Sequence, residues 1–133
     1  MAVRMELSRI LIRENDDHHI VELREVEGER IFPIVIGLNE AAAIERRLMG
    51  QDPPRPQTHE LLASVIDKLG FQIERVLIND LSDHIFYARL HLSKDEEQVE
   101  IDSRPSDAIA LGVASDTPIF VAEHVLTEVC RLD

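Results

Sequence analysis

Side chains able to do acid–base or phosphate chemistry cluster at one predicted strand-to-helix junction. Pro105 is typical of the first turn of a helix, where its missing N–H costs nothing. Asp102 or Ser103 could cap the free amides there, and Asp107 lies in the first turn, where the helix dipole favours an anion. With Arg104, these residues form either a functional site or a capping arrangement stabilised by an Arg–Asp ion pair.

Further candidate residues lie at the starts of two other predicted helices. Glu40 opens one helix, and His59 and Glu60 follow Thr58 at the start of the next. Arg55 lies just before it, in a segment that three prolines make extended. His59 could act as a general acid or base, or merely occupy the first helical turn. Carboxylates can hold Mg²⁺ or Mn²⁺ and arginines can bind a phosphodiester, so the set could support metal-assisted hydrolysis.

The signatures of other common catalytic sites are missing from the sequence. The six histidines show no metal-ligand spacing, and there is no cysteine pair, Gly-rich phosphate loop or GxSxG motif. His18, His19 and His84 fall in or beside predicted hairpin turns, where we expect them to be solvated. No organic cofactor is expected.

Composition restricts the mode of binding to nucleic acid. The chain has 133 residues and a net charge of −12, so we expect one domain whose surface repels phosphate backbones. A local cationic pocket or a bound metal ion could still attract phosphate at one place. Four Phe, one Tyr and no Trp are too few for an extended platform of stacked aromatic side chains.

Cysteine usage and hydropathy predict a cytoplasmic protein without a membrane segment. A lone Cys130 excludes an internal disulfide and fits a reducing compartment. The first residues alternate between apolar and charged types, so no signal peptide is expected, and no segment approaches the length of a membrane span.

Apolar periodicity predicts a strand–strand–strand–helix unit used twice. In the first unit, Pro33 places the third strand at a sheet edge or a bulge, and Asn39 caps the helix. Between the units, a Pro-rich loop leads to a helix that Thr58 caps. Its apolar residues recur at helical spacing and should face a core: Leu61, Leu62, Val65, Ile66 and Leu69.

Three sequence blocks recur in the same order and indicate an internal duplication. Residues 9–12 and 75–78 align at an offset of 66, as do Asp-His pairs at 17–18 and 83–84, and residues 40–44 align with 107–111 at an offset of 67. Chance similarity of short apolar runs is the alternative. The predicted fold is α+β, with mixed sheets packed on helices in a single domain, divided into half-repeats 3–50 and 70–115, a joint 51–69 and a tail 116–133.

Ordered stretches across almost the whole chain resemble the bifunctional nuclease domain family. They are Phe32-Pro33-Ile34-Val35-Ile36-Gly37, Glu40-Ala41-Ala42-Ala43-Ile44, Pro54-Arg55-Pro56 with Thr58-His59, Phe86-Tyr87-Ala88, the segment from Asp102 to Leu111, and Pro118-Ile119. Two positions depart from the family pattern, which usually has Asp at the position of Glu60 and Ala at that of Ser103. Glu60 reaches one methylene further than Asp and would place a ligand differently.

The resemblance implies an α+β domain that self-associates and acts as a nuclease on DNA and RNA. The many edge strands expected of two small sheet units also predict a homo-oligomer that covers those edges, either a dimer or a trimer. Physical chemistry then assigns the roles in a first hypothesis, a nuclease assisted by Mg²⁺ or Mn²⁺. The catalytic residues are His59, Asp107 and Arg104, the phosphate ligands Arg55 and Arg104, and the metal ligands Glu40, Asp102 and Asp107.

The alternative hypothesis is a non-catalytic, oligomeric interaction or regulatory module. In that case Arg104 would pair with a carboxylate, Asp107 would hold the helix start, and the Pro-rich loop would be a binding surface. An open cleft lined by Arg55, His59, Glu40 and Asp107 would favour the nuclease. An Arg104–Asp107 pair buried away from any cleft would favour the module.

Overall fold

The computed structural model describes residues 1–13, 15 and 17–130. The predicted turn at 15–17 lies partly outside the described residues, as does the end of the predicted tail at 131–133. The elements are β1 Ala2–Leu11, β2 His19–Glu25, β3 Ile31–Ile36, α1 Leu38–Leu48, α2 Thr58–Lys68, β4 Gln72–Ser82, β5 Ile85–Lys94, β6 Glu97–Ser103, α3 Pro105–Gly112, a 3₁₀ turn Val113–Ser115, β7 Ile119–Ala122 and α4 Glu123–Val129. Within these ranges, no helix is long and apolar enough to cross a membrane.

All seven described strands form one mixed sheet in the order β3-β2-β1-β7-β4-β5-β6, which confirms the α+β class. Each half contributes an antiparallel meander, and β7 joins the two by pairing antiparallel with β1 and parallel with β4. The expectation of two small sheets with many edges is therefore wrong, because β7 merges them. Pro33 lies on an edge strand, as predicted, where its missing N–H disturbs no central ladder.

The sheet curls around its own core. Phe32 on β3 and Phe86 on β5 stack with ring centroids 5.7 Å apart. Four strands lie between them, so in a flat sheet with strands about 4.8 Å apart they would be separated by roughly 24 Å. The curvature therefore brings β3 close to the start of β5, and residues of both strands line one cavity with Pro105 and Ser106 at the start of α3.

Helix α3 is the buried centre of the molecule. Seven of its eight residues are buried, and Asp107 is the exception. A helix that is apolar on all sides needs partners on all sides, and α3 packs against α1, α2, β4 and β5. The Arg47 side chain on α1 donates hydrogen bonds to the carbonyl oxygens of Ala110 and Leu111, which the helix end leaves without internal partners. Asp107 is the single charged residue of α3, and it lies at the one position of the helix that is not buried.

Helix α2 is much less buried than its sequence predicts. Ile66 alone among its residues is buried, whereas Leu61, Leu62 and Val65 are 56%, 44% and 44% exposed. Leu69, just after the helix, is 60% exposed. Helical periodicity shows that an apolar face exists but cannot show whether the same chain covers it, and here most of that face is at the surface.

Helix starts differ from the predicted capping. The N-cap residues are Gly37, Gln57 and Arg104, and none makes a side-chain capping hydrogen bond. Asn39 and Thr58 lie inside their helices. Ser103 Oγ donates instead to the Arg104 carbonyl oxygen, at 2.8 Å. Polar residues near these helix starts thus remain available for other contacts.

The two meanders share a feature that sequence offsets alone did not reveal. The β1–β2 register shifts between Leu7 and Arg9, and the β4–β5 register shifts between Ile73 and Arg75. These positions correspond under the offset of 66 residues, so both strands carry an irregularity at the same point. This coincidence supports the duplication, which stays a prediction until the two backbones are superimposed.

Candidate functional site

A histidine–aspartate pair joins the start of α2 to the start of α3. His59 Nε2 lies 2.9 Å from Asp107 Oδ1, and both side chains are partly buried. If Nε2 carries the hydrogen and donates it to the carboxylate, the ring orientation is fixed and Nδ1 is left as the basic nitrogen. The sequence predicted both residues as site members, and the structure brings them together.

Arg104 connects this pair to Glu40. Its Nε and Nη2 donate to the two Asp107 oxygens at 2.9 and 3.1 Å, and its Nη1 donates to Glu40 Oε2 at 3.2 Å. The paired contact with Asp107 is the strong, planar arrangement that guanidinium and carboxylate groups favour. The Arg104 side chain is nevertheless 62% exposed, so the ion pair lies at the surface.

Asp107 is held in its ionised form. Burial raises its pKa, but hydrogen bonds from Arg104 and His59 outweigh that effect and hold the pKa below its usual range. The same contacts raise the pKa of Arg104 above its ordinary value. The carboxylate is therefore suited to orienting its partners and stabilising a positive imidazole, rather than to donating a proton.

Two carboxylates at equivalent positions of the two units, Glu40 and Asp107, both contact Arg104. Glu40 and Asp107 each lie three residues after the N-cap of their helix, Gly37 in α1 and Arg104 in α3. A Cβ on Gly37 would collide with Glu40 Oε1, so the Glu40 carboxylate folds back over its own N-cap. The equivalence of Glu40 and Asp107 was predicted from the repeat, but their contact through one arginine was not.

Two neighbouring clefts open beside Arg104. Cleft A, of about 660 Å³, contains His59, Asp107 and Asp102 together with an apolar wall that includes Leu62, Tyr87 and Ile101. Cleft B, of about 550 Å³, contains Glu40, His18 and His84. Arg104, Ile85 and Phe86 line both clefts. The volumes fall within the range of small-molecule sites.

The three predicted metal ligands do not form a metal-binding group in this arrangement. No set of three or more His, Cys, Asp or Glu side chains in the described ranges is arranged to hold a metal ion. Arg104 occupies the space between Glu40 and Asp107, so its positive charge takes the place that a cation would need. Asp102 and Asp107 line cleft A, whereas Glu40 lines cleft B. A metal site at these residues stays a prediction.

Other predicted site residues lie away from the His59–Asp107–Arg104 cluster. Arg55 is exposed and lines neither cleft. Glu60 accepts two hydrogen bonds from Arg46, at 2.8 and 3.1 Å, which hold the pKa of its carboxyl below its usual range. Its longer side chain thus links α2 to α1.

One histidine prediction is wrong. His19, expected in a solvated turn, begins β2 and is 2% exposed, with Nδ1 accepting the Arg13 backbone N–H at 3.1 Å.

The apolar wall of cleft A was not predicted from the sequence. Its available signal was the run Phe86-Tyr87-Ala88, which contains the only tyrosine of the chain but was noticed only as part of the family resemblance.

Comparison with known proteins identifies relatives across most of the chain. A family model described as the bifunctional nuclease domain matches residues 21–131. Uncharacterized protein Rv1829 of Mycobacterium tuberculosis is 38% identical over 119 residues, which cover 90% of this chain and 71% of that protein.

Plant proteins match at lower identity. Bifunctional nuclease 1 of Oryza sativa subsp. indica is 25% identical over 118 residues, 86% of this chain and 36% of the plant protein. Bifunctional nuclease 2 of Oryza sativa subsp. japonica is 29% identical over 114 residues, 83% of this chain and 35% of the plant protein. The chain thus corresponds to about a third of each plant nuclease.

Proposed function

Because this chain belongs to the bifunctional nuclease domain family, we propose that it hydrolyses phosphodiester bonds of DNA and RNA at the His59–Asp107–Arg104 cluster. The observation that carries the proposal is an oriented histidine and an exposed arginine that share one carboxylate in the lining of cleft A. The names of the plant relatives support the reaction class, although this chain covers only part of those proteins.

In this proposal each member of the cluster has a separate task. Arg104 binds the phosphate and offsets the charge that develops on its oxygens during attack. His59 Nδ1 accepts the proton of the attacking water and returns it to the leaving oxygen, while the bond from phosphorus to that oxygen breaks. Asp107 orients both partners and stabilises the protonated imidazole.

This mechanism assigns no step to a metal ion, because Arg104 already neutralises Glu40 and Asp107, two of the three carboxylates predicted to bind one. Metal assistance by Mg²⁺ or Mn²⁺ stays a prediction. It is tested by measuring cleavage in either ion and in EDTA. Loss of all cleavage in EDTA, restored by Mg²⁺ or Mn²⁺, would support it.

The test of the proposed site is cleavage of labelled single- and double-stranded DNA and RNA by His59→Ala and Asp107→Ala. Loss of a positioned acid–base group lowers rates by about 10²- to 10⁴-fold, so we expect His59→Ala to fall in that range. Asp107→Ala should be at least as damaging, because it affects two partners.

A second histidine–aspartate pair provides a matched control. His124 Nε2 lies 3.4 Å from Asp80 Oδ1, and neither residue lines cleft A or cleft B. We expect His124→Ala and Asp80→Ala to cleave like the parent protein. Equal residual cleavage in all four variants would mean that the activity comes from a contaminant or from another site, and would overturn the assignment.

We also propose that the chain self-associates through the α2 face, defined as Leu61, Val65 and Leu69. These side chains are 56%, 44% and 60% exposed and lie along one side of the helix and its end. Large exposed apolar patches mark interaction surfaces, and a second copy offers the same patch for a symmetric contact. This surface also serves the non-catalytic alternative, in which association rather than cleavage is the function.

A further inference from the structure

We propose that the apolar wall of cleft A, defined as Leu62, Ile85, Tyr87 and Ile101, binds the base of a nucleotide whose phosphate contacts Arg104. The inference rests on the proposed function and deepens it, since it gives the site a recognition element separate from the reacting groups. It assigns to the cleft a ligand of one chemical class, a nucleoside monophosphate unit.

The side chains of the apolar wall are partly exposed and line a concave surface. Leu62, Tyr87 and Ile101 are between 40% and 44% exposed, and Ile85 is 56% exposed. They come from α2, β5 and β6, so three elements converge to form the wall. Apolar side chains in a pocket gain by covering a flat apolar ligand, and an aromatic ring stacks on a base of any identity.

The geometry brings a phosphate site next to this wall. Ala88 on β5 pairs with Ser103, the last residue of β6, so Tyr87 and Arg104 are the next residue on each side of this pair. Contacts with Glu40 and Asp107 use three of the five N–H donors of Arg104, which leaves two donors for phosphate oxygens. Base and phosphate of one nucleotide can thus be held by neighbouring residues.

The apolar wall predicts that the cleft binds any of the common bases without distinguishing between them. Leu62, Ile85 and Ile101 have no hydrogen-bonding side-chain groups, so contact with them cannot distinguish one base edge from another. The chain has too few aromatic residues for an extended platform of stacked side chains, but a single base needs only one aromatic ring. We expect the four common nucleoside monophosphates to bind with similar affinity, within about threefold of each other, as stacking is tolerant of sequence.

Tyr87 is the only tyrosine in the sequence and gives the test a specific signal. Protein containing 3-fluorotyrosine has a single ¹⁹F resonance, which reports on cleft A directly. It is titrated with AMP, with ribose 5-phosphate, which lacks the base, and with adenosine, which lacks the phosphate. We expect saturable shifts with AMP, and binding about tenfold or more weaker for each partial ligand.

Two leucines provide matched variants on helix surfaces. Leu62 lines cleft A and is 44% exposed, whereas Leu48 on α1 is 50% exposed and does not line it. We expect Leu62→Ala to weaken AMP binding about five-fold by removing part of the wall, and Leu48→Ala to leave it unchanged. Both residues are exposed enough that neither variant should fail to fold.

Each outcome bears on a different claim. Equal affinity for AMP and ribose 5-phosphate, or no ¹⁹F response to AMP at millimolar concentration, would overturn the base site even if the protein cleaves nucleic acid at His59. AMP binding that depends on Leu62 in a protein without any cleavage would support the base site and overturn the nuclease proposal.

Discussion

A single guanidinium group organises the candidate site. Arg104 contacts carboxylates from both sequence units and lies where cleft A meets cleft B. Its two contacts differ in strength, since Asp107 is bound through both oxygens and Glu40 through one. The arrangement depends on the planar fork of arginine and not only on its charge.

Replacing Arg104 with lysine tests the importance of that fork. We expect Arg104→Lys to lower kcat/KM for cleavage by about tenfold or more, because an ammonium group cannot bind both Asp107 oxygens and a phosphate in the same plane. Steady-state kinetics provide the measurement. Arg24, in an exposed pair with Glu6, is the control, and Arg24→Lys should keep full activity. Unchanged kinetics in Arg104→Lys would remove Arg104 from the site.

Residue types at helix starts could be predicted from sequence, but their partners could not. Helix-start rules and the repeat pointed to Glu40 and Asp107, and Arg104 was included because it lies beside Asp107 in the same polar cluster. His59 was included because it follows a helix start next to a stiff Pro-rich loop. Contact between Arg104 and Glu40 spans 64 residues and depends on the curvature of the sheet. Glu60 was predicted as a candidate carboxylate, because nothing local showed that Arg46 one helix away would bind it.

At the scale of elements, an ion cluster attaches α4 to the β2–β3 hairpin. Arg30 donates to Glu25 on β2 and to Glu123, the first residue of α4. Hydrogen bonds from Arg30, and then from Thr127, lower the pKa of Glu123 from 4.5 to about 2. Residues 93 positions apart in sequence are thereby held together.

This cluster predicts a pH dependence of stability. A carboxyl whose pKa is lower in the folded protein stabilises it fully above pH 4.5, and loses that contribution as the pH falls toward 2. We expect Glu123→Gln to lower Tm at pH 7 and the difference from the parent to shrink below pH 4. Thermal denaturation followed by circular dichroism tests this, with Glu6→Gln as the exposed control. A Tm difference independent of pH would contradict it.

Helix α2 shows what periodicity can and cannot predict. Its position was close to that predicted, because apolar residues at helical spacing mark it locally. The exposure of its apolar face was not predicted, since burial depends on which other elements lie nearby. The placement of β7 between β1 and β4 was equally unpredictable, as a four-residue strand carries no signal for its neighbours.

At the scale of the whole molecule, the exposed α2 face predicts the oligomeric state. We expect the protein to be a dimer or trimer by light scattering, and Val65→Lys to shift it to monomer because a buried charge would be unpaired at the contact. Val26, in the turn after β2, is 45% exposed against 44% for Val65, so Val26→Lys is the control. A monomeric parent protein, or the same state in both variants, would overturn the proposal.

The position of β7 in the sheet has a consequence for folding kinetics. Ala2 of β1 pairs with Ala122 of β7, so closing the sheet joins residues 120 positions apart. Each meander can form from local contacts, but a pairing this distant must first overcome the entropy of closing a long loop. We therefore expect the two halves to become structured early and the sheet to close in a later, rate-limiting step. Glu40 and Asp107 come from opposite halves, so refolding should restore hairpin structure before Arg104 can contact both carboxylates.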